Sequence, residues 1–533
     1  MIPEAKCMNL TEDTLFLPAA LRLDCAAWPQ KAARCATLLL GVTVTAGADP
    51  HIRALPADLP AEGYRLTVDD TVTVAYADYR GLCHALATLA GLLTAADEGY
   101  ILPRGTVEDA PAAAHRGTML DLARGKQPME ELLDDMVLLA RAKMNVLHLH
   151  LFDSIGCAVA MDCLPQELIL KEHYSRQEVA QIVEQADLLG LELIPEFDLP
   201  AHSTLLTDVF PALACPVENN KGWTVCAGSE ELFTLYEAII REMISLFPGG
   251  RYFHVGGDEL YLDDIPQRGY TCHWESCPRC RQRMAEEGLS DRQELYYYVM
   301  QRVHTIVTSH GRTMVMWSDQ IDCTRPCPLP RDIVMHFWRV AGRGRGPVDG
   351  CSMAAQAAMG FTLINSHYLE AYIEEEGEMS EETIRDWRWD TRPAVAEEHR
   401  KQVMGGELCV WTYGVNAEPG KTPDYYDYIN RELPGAVMLM GNKLWNGRDF
   451  VYSPAFRQEL TRAVLGPRTP KGLDVFAPFG SMMPPKSNTR FAYEDRVTVT
   501  KAEMADTLAA LEGMEQSPRV ARYVCAIKAL LEQ

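Results

Sequence analysis

Two adjacent carboxylates, Asp258 and Glu259, follow a short apolar run and two glycines within the decapeptide RYFHVGGDEL, residues 251–260. The apolar run predicts a strand, and the two glycines allow a tight turn at its end. Neighbouring side chains on an extended chain point in opposite directions, so the two carboxylates are expected to contact different parts of one bound molecule. Carboxylates in unlike environments can differ in pKa, so one could stay charged while the other carries a proton. A solvated acidic turn is the other interpretation of this pair.

Other polar and aromatic residues occur at the ends of predicted strands. β-prone runs alternate with amphipathic helical runs from residue 116 onward, which predicts strands at 118–122, 146–151, 191–197, 252–255, 313–317, 333–338, 362–365 and 407–411. Eight such units favour a closed (β/α)8 barrel, whose active site lies at the carboxyl ends of the strands. The residues expected there are Asp121, Arg124, His148, His150, Asp153, Asp198, His202, Asp258, Glu259, Trp317, Trp338, Tyr368 and Trp411.

Two smaller regions flank this predicted barrel. Residues 1–112 combine β-prone runs at 36–45, 64–68 and 72–76 with a helix at 79–93, which predicts an N-terminal α/β support domain. The barrel catalytic domain is expected over residues 113–455. Residues 456–533, with helices at 500–511 and 519–531, predict a C-terminal helical segment that either packs on the barrel or forms a subunit contact. The fold class is therefore α/β, a TIM barrel with two appendages.

Composition and charge limit the kinds of partner that this protein can bind, and the N-terminal sequence bears on its cellular location. The 533 residues are 47% hydrophobic and 23% charged, as in soluble globular proteins, and no apolar run reaches the roughly 18 residues of a membrane helix. A net charge of −24 disfavours a nucleic acid partner. The first 17 residues show neither a continuous apolar region nor a cleavage site, so a cytoplasmic location is expected. A homo-oligomer stays an open alternative.

Sixteen cysteines are spread along the chain, mostly in apolar surroundings, as expected of reduced, buried thiols. Three of them, Cys272, Cys277 and Cys280, have the close spacing of metal ligands. A closed zinc site needs four ligands. The fourth would come from His273, Cys323, Cys327 or elsewhere, and unligated thiols in a loop are the alternative.

Four ordered segments resemble the motifs of glycoside hydrolase family 20, the β-N-acetylhexosaminidases. They are RGTMLDLAR at 116–124, KMNVLHLHLFD at 143–153, IPEFDLPAHS at 194–203 and HVGGDE at 254–259. The resemblance covers about residues 113–450, and the preceding α/β domain also resembles the one that this family carries. It implies a retaining exo-glycosidase that removes terminal β-linked N-acetylhexosamine from a glycan and needs no cofactor. The substrate's own 2-acetamido group would be the nucleophile, giving an oxazolinium intermediate.

The resemblance also implies roles for individual residues. Glu259 would be the general acid and later the base that activates water, while Asp258 would stay ionised, accept the acetamido N–H and stabilise the oxazolinium. Tyr368 would donate a hydrogen bond to the acetamido carbonyl, and Arg116 would hold the 3- and 4-hydroxyls. The pocket wall would consist of Trp317, Trp338 and Trp411. The residues that position and tune the carboxylate pair would be Asp153, Asp198 and His202.

Two positions depart from the family pattern. After the eighth strand the usual Trp-x-Glu is replaced by 411–413, which ends in Tyr413, so the carboxylate that binds the 4-hydroxyl is missing. After the seventh strand the usual Tyr-x-Asp ends in Glu370, one methylene longer, at the position expected near the 6-hydroxyl. Both changes concern the far edge of the sugar. They predict tolerance of galactosamine, or a preference for it, and leave a 6-substituted sugar open.

Two other classes of protein compete with the glycosidase. The pair His148 and His150 at a strand end is also the metal-ligand pair of amidohydrolase-type barrels, although there it belongs on the first strand. A sugar-binding protein that has lost catalysis is the third interpretation, suggested by Tyr413. The presence of both Asp258 and Glu259 argues against it.

Overall fold

The structure, a computed structural model, describes residues 2–260, 271–339, 351–373, 379–412, 423–450, 453–479 and 499–532, and only the backbone at 423–431. The described residues form an N-terminal α/β region, a barrel and a set of C-terminal helices. The predicted fold class is confirmed. Among the described residues, no helix is both long enough and apolar enough to cross a bilayer.

The N-terminal region is a mixed sheet whose helices α1 and α2 lie between it and the barrel helices α3 and α4. The sheet order is β1-β8-β5-β6-β4-β2-β3, and β7 pairs with β8. Residues 36–40, predicted as β-prone, form the end of α1, because Ala36, Leu39 and Leu40 are buried on one face of a helix that packs against α2. The elements are β1 Cys7–Pro18, β2 Leu21–Cys25, α1 Pro29–Leu40, β3 Val44–Ala46, β4 Ile52–Pro56, β5 Tyr64–Val68, β6 Val72–Tyr76, α2 Tyr79–Leu92, β7 Thr94–Ala96 and β8 Gly99–Asp109.

Eight parallel strands form the barrel, which closes where the seventh strand pairs with the eighth. In chain order the eight are β9, β10, β14, β15, β16, β17, β18 and β20. A small side sheet, β11 to β13, follows β10, and β19 extends the rim beside β20. The bounds are β9 His115–Asp121, β10 Val146–His150, β11 Phe152–Asp153, β12 Gly156–Val159, β13 Ile169–Tyr174, β14 Glu192–Glu196, β15 Tyr252–His254, β16 Thr313–Trp317, β17 Val334–Phe337, β18 Thr362–Asn365, β19 Tyr372–Ile373 and β20 Val403–Val410.

The barrel helices bury their apolar faces against these strands. Local signals fix several of their ends: Ser175 and Glu178 form a capping box at the start of α4, and Gly190 ends α4 at a φ of 72°. The helices are α3 Met129–Arg141, α4 Arg176–Leu189, α5 Thr204–Val209, α6 Glu230–Leu246, α7 Pro278–Glu287, α8 Arg292–Ser309, α9 Met353–Ala358, α10 Tyr368–Ala371, α11 Glu381–Arg385 and α12 Pro423–Asn446.

The barrel interior is layered. Apolar side chains fill the end where the strands start: Val146, Ile194, Tyr252, Val315, Val334 and Ile364. Buried histidines and two carboxylates, Glu196 and Glu407, fill the middle. Gly117 makes room for this layer, because a Cβ at that position would lie 2.6 Å from Cγ of Glu407. Aromatic side chains fill the end where the strands finish, which is the end expected to carry the active site.

The C-terminal helices are α13 Pro454–Leu465, α14 Lys501–Glu512 and α15 Pro518–Glu532. Helices α13 and α15 pack against barrel helices, and α14 packs on α15. Arg519 of α15 donates to the carbonyl of Asp134 at 2.7 Å, and Arg522 forms an ion pair with Asp135 at 3.2 Å. Both acidic residues belong to α3. Of the two sequence-based alternatives for this segment, the structure thus shows packing on the barrel. The additional helix α13 was not predicted from the sequence.

Candidate active site

The carboxylate pair lies directly after β15, and its position depends on Gly256. This residue has a φ of 73°, and a Cβ there would lie 1.8 Å from Oδ1 of Asp198. A side chain at residue 256 would therefore displace Asp198. Glycine allows the turn after β15 to contact Asp198, which follows β14, and this brings the two strand ends into one site.

Glu259 has a left-handed backbone with a φ of 51°, which is uncommon for a residue other than glycine. Its N–H donates to Oδ2 of Asp319 at 3.2 Å, and its carbonyl accepts from the indole N–H of Trp223 at 3.0 Å. Side chains from two other loops thus hold both backbone polar groups. Such local strain, maintained by its surroundings, is typical of functional sites.

Because Glu259 is not extended, the two carboxylates do not point in opposite directions, contrary to the expectation from an extended chain. Nε2 of His202 lies 3.9 Å from Oδ2 of Asp258 and 3.6 Å from Oε2 of Glu259. The side chain of Glu259 is 19% exposed and that of Asp258 is 11% exposed. Glu259 is therefore the carboxylate more accessible to a ligand, and Asp258 is the more enclosed.

Asp153 anchors this group from the next strand end. It forms ion pairs with Arg124, with His150 at 3.2 Å and with Nδ1 of His202 at 3.2 Å. Burial alone would raise the pKa of Asp153, but the charges of Arg124 and His202 hold it well below its usual range. Asp153 therefore stays ionised and fixes the orientation of the His202 ring.

The carboxylates around His202 have shifted pKa values. Burial would lower the pKa of His202, but the charges of Asp198 and Asp153 raise it well above its usual value. Burial raises the pKa of Asp198 to about 7. Burial and the charge of Asp198 together raise the pKa of Asp258 well above its usual value. A protonated His202 thus lies between the ionised Asp153 and two carboxylates with raised pKa values, Asp198 and Asp258, as expected for groups that handle protons near neutral pH.

Tryptophans predicted for the pocket wall lie at the same end of the barrel. Trp317 is 1% exposed, donates to Glu196 at 2.7 Å and stacks on His336, so it forms a floor. Trp411 lies with its ring centre 6.0 Å from that of Trp317. Trp338 is half-buried and stacks on Tyr372 at 6.0 Å. Tyr368, also half-buried, packs against this aromatic group. Together they form an aromatic pocket suited to the apolar face of a sugar.

The role expected for Arg116 needs correction. Its strand, β9, begins at His115, so Arg116 lies at the start of the strand, the end of the barrel opposite the carboxylates. It is fully buried and bonds to Glu62 and His84 of the N-terminal region. The arginine at the active-site end is Arg124, which pairs with Asp121 at 3.0 Å and lies 5.3 Å from the Trp411 ring.

Glu370 also differs from expectation. Its side chain is 1% exposed and is held by His367 and by Nε of Arg392 at 2.9 Å. The Glu370 carboxylate was expected near the 6-hydroxyl of the sugar. It is instead held by two side chains of the same chain and does not face an open pocket. Tyr413, expected at the same edge of the sugar, lies outside the described residues.

Three contributors to the site were not assigned a role from the sequence: Arg124, Trp223 and Asp319. Asp319 follows β16 by two residues, so the rule that site residues follow strand ends could have found it. Arg124 follows β9 in the same way and was placed at this end without a role. Trp223 lies in a long loop between α5 and α6 and carries no local signal of its function.

The histidines behind the metalloenzyme alternative are buried and already engaged. Nδ1 of His148 lies 3.0 Å from Glu407, and Nδ1 of His150 lies 2.6 Å from Glu196. Burial would lower the pKa of His148, but the charge of Glu407 raises it to about 9. These contacts make His148 part of the barrel's interior layer.

A barrel with an adjacent, histidine-linked carboxylate pair beside an aromatic pocket defines the class of the protein as a glycosidase-type barrel.

Comparison with known proteins gives the family. Residues 114–422 match the model of the glycosyl hydrolase family 20 catalytic domain, and residues 1–110 match domain 2 of the same family. The chain belongs to glycosyl hydrolase family 20 and is, by that membership, a glycoside hydrolase. This finding favours the glycosidase over the metal-dependent hydrolase and the silent binding protein.

Three individual proteins that resemble this chain share less than a third of its residues over the matched regions. The chain is 28% identical to a β-hexosaminidase of Porphyromonas gingivalis over 50% of this chain and 37% of that protein. It is 26% identical to the β-hexosaminidase subunit alpha of Bos taurus, over 80% of this chain and 78% of that one. The crystal structure of the β-N-acetylhexosaminidase from Bacteroides fragilis superimposes with a TM-score of 0.72 at 22% identity, covering 87% of this chain and 94% of that one.

Proposed function

We propose that this protein is an exo-acting, retaining β-N-acetylhexosaminidase that uses the acetamido group of its substrate as the nucleophile. The observation that carries the proposal is the convergence of Asp258 and Glu259 on His202, with Glu259 the more exposed. A retaining enzyme with a carboxylate nucleophile needs two carboxylates on opposite sides of the scissile bond. Here the two are adjacent in sequence and share one histidine, which suits one acid and one group that orients the acetamide.

The reaction has two steps. Glu259 donates its proton to the glycosidic oxygen while the acetamido carbonyl oxygen attacks the anomeric carbon, forming the oxazolinium and releasing the aglycone. Glu259 then takes a proton from water, which attacks the same carbon and opens the ring with overall retention. Asp258 accepts the acetamido N–H and stabilises the positive charge of the intermediate. That charge and the proton on His202 favour the ionised form of Asp258 against the effect of burial.

Substrate orientation is assigned to the residues around the pair. Arg124, rather than Arg116, would hold sugar hydroxyls, because it projects beside Trp411 at the active-site end. Tyr368 would orient the acetamido carbonyl. The indoles of Trp338 and Trp411 would pack on the sugar and the acetamide methyl, with Trp317 below them.

We further propose that the enzyme accepts both C4 epimers. Tyr413 replaces the expected glutamate, and the Glu370 carboxylate forms ion pairs with Arg392 and His367. Without a carboxylate reserved for the 4-hydroxyl, the site loses one means of discriminating between its equatorial and axial positions. β-GalNAc and β-GlcNAc glycosides should therefore be hydrolysed with kcat/KM values within about tenfold of each other. A ratio far above that in favour of GlcNAc would contradict this part.

The test compares chromogenic β-GlcNAc and β-GalNAc glycosides with wild type, Glu259→Gln, Asp258→Asn and the surface control Glu184→Gln. The proposal expects the two active-site variants to lose about 10³-fold or more in kcat/KM, and the control to match wild type. Progressive fluorination of the acetamido group should slow the wild type, because it weakens the nucleophile. Insensitivity to fluorination, or an inverted product by NMR, would contradict substrate assistance.

A cytoplasmic location also stays a proposal. It is supported by the sixteen thiols, of which twelve are buried and none forms a disulfide in the structure. Fractionation of the source cells, with the glycosidase activity measured in each fraction, tests it directly. Activity outside the cytosolic fraction would contradict it.

A further inference from the structure

Four buried cysteines converge beside the active site. Cys215 and Cys226 come from the loop between α5 and α6, whereas Cys277 and Cys280 come from the start of α7. Their sulfur atoms all lie within 4.8 Å of one another. The Sγ–Sγ distances are 3.9 Å for Cys215 and Cys280, 3.7 Å for Cys226 and Cys277, and 3.6 Å for Cys226 and Cys280. Each of the four side chains is at most 2% exposed.

We propose that these four cysteines bind one zinc ion in a closed structural site. Zinc–sulfur bonds of about 2.3 Å in a tetrahedron place the sulfur atoms about 3.8 Å apart, which agrees with the three distances in this cluster. A disulfide needs about 2.05 Å between its sulfur atoms, and two such bonds would have to pull this group apart into pairs. Four thiolates in a tetrahedral arrangement favour zinc over calcium or magnesium, which prefer oxygen ligands.

The four ligands lie on two separate halves of the site, a bridged loop and a helix start. In the first half, Ala214 and Val225 form a bridge that brings Cys215 and Cys226 together across the loop. In the second half, the Cys-x-x-Cys spacing puts Cys277 at the cap of α7 and Cys280 in its first turn. A helix N-terminus stabilises thiolates, the form that zinc requires. Arg279, between these two cysteines, joins the halves by donating to the carbonyl of Ala212 at 2.8 Å.

The sequence analysis identified two of the four ligands and grouped with them one cysteine that lies outside the cluster. Cys277 and Cys280 belong to the cluster, but Cys272 is not one of the four, and the other two ligands lie more than 50 residues earlier in the chain. Of the candidates named for the fourth ligand, none of His273, Cys323 and Cys327 is in the group. Only the packing of the two loops shows the complete donor set.

The site has a consequence for the active site that rests on the proposed function. In the sequence, Trp223 stands between the ligands Cys215 and Cys226. Its indole N–H donates to the carbonyl of Glu259, and its ring packs on that of His202 with ring centres 4.5 Å apart. Trp274, near the second pair of ligands, donates to the carbonyl of Val225 at 2.7 Å. Zinc would thus fix the loop that holds Glu259 in its left-handed conformation, without contacting substrate.

Metal content of the full-length chain tests the site independently of activity. Protein expressed with added zinc and purified under reducing conditions should contain one zinc per chain by elemental analysis. Cys226→Ser and Cys277→Ser should lose most of it. The matched control Cys327→Ser removes another buried thiol that lies outside the cluster and should keep it. Wild type without stoichiometric zinc, or cluster variants that retain it, would overturn the proposal.

Two measurements on the wild type cover the case in which the cluster variants fail to fold. Cobalt substitution should give the charge-transfer and d–d absorption of a tetrahedral tetrathiolate centre, and X-ray absorption at the zinc edge should show four sulfur neighbours at about 2.3 Å. Oxygen or nitrogen neighbours would overturn the proposal, as would two disulfides found by mass spectrometry of the unreduced protein. Failure of the glycosidase assay with zinc present would count against the proposed function only.

Discussion

At the scale of single residues, the site depends on His202. Its positive charge lies close to the carboxylates of Asp153, Asp198 and Asp258. Asp198 lies 3.8 Å from Nε2 of His202, and Asp258 lies 3.9 Å from the same atom. Since burial raises the pKa of both Asp198 and Asp258, their ionisation depends on the nearby positive charge. The pH at which the enzyme becomes active should therefore respond to substitutions at positions that do not touch substrate.

Asp198→Asn and His202→Gln should move the acidic limb of kcat/KM in opposite directions. Asp198 raises the pKa of Asp258, so its removal should lower that pKa and extend activity to lower pH by about one unit. His202 lowers the pKa of Asp258, so its removal should move the limb to higher pH by a similar amount. Full pH profiles on one chromogenic substrate test this. Shifts in the same direction would contradict the electrostatic account.

Gly256→Ala should reduce activity more than backbone strain alone explains. Its Cβ would collide with Asp198, whereas Gly360 has a similar positive φ of 89° with nothing within 4 Å. Gly360→Ala should cost only the left-handed strain, about 1–2 kcal/mol of unfolding free energy, with unchanged kcat. Gly256→Ala should cost that strain and about tenfold or more in kcat as well, because Asp198 must move. Equal kcat values for the two variants would show that Asp198 does not need its present position.

At the scale of elements, β9 separates two arginines that have different tasks. The strand advances about 3.3 Å per residue, so its start and its end lie on opposite faces of the barrel. Arg116 near the start connects the barrel with the N-terminal region, and Arg124 beyond the end joins the site. The predicted strand, 118–122, already places Arg116 before its start and Arg124 after its end, and only the family resemblance assigned the sugar hydroxyls to Arg116.

Arg116→Lys and Arg124→Lys make a matched pair that tests this division. Arg124→Lys should lower kcat/KM by about 100-fold, because lysine lacks the planar, forked donor of arginine. Arg116→Lys loses several buried hydrogen bonds and should lower the unfolding free energy by about 2–4 kcal/mol, while kcat/KM of the folded fraction stays within about threefold. Measuring kcat/KM and the urea unfolding free energy of both variants tests this division. A large loss of kcat/KM in the Arg116 variant would restore the original assignment.

At the scale of the whole molecule, charged contacts connect the N-terminal region to the barrel. Glu62 accepts from Asn145 at 2.9 Å and pairs with His84 at 3.1 Å and with the buried Arg116. Burial would raise the pKa of Glu62, but the charge of Arg116 lowers it far below the usual range. Lys143 makes a second contact, to Tyr64 at 2.9 Å. The N-terminal region therefore supports the barrel end that is remote from the active site.

Glu62→Gln should destabilise the protein by about 3–5 kcal/mol at pH 7, because it leaves Arg116 buried without its counter-charge. A carboxylate with a lowered folded pKa stabilises above its usual pKa of 4.5, and this stabilisation is lost as the pH falls toward the folded pKa. The difference from wild type should therefore shrink below pH 4.5. Urea transitions at several pH values measure it. As a control, Glu184→Gln removes an exposed pair with Arg34 and should change stability by less than about 1 kcal/mol.

The sequence by itself determined the order of the eight strands, with predicted bounds that match β16 and β18, and the carboxylate pair after the fourth strand. These features follow from local periodicity and from the rule that barrel sites lie at strand ends. Tertiary structure alone decided which arginine faces the site, how Trp223 and Asp319 hold Glu259, and which four cysteines converge. Each of these depends on contacts between segments that are distant in the chain, and no local pattern encodes such contacts.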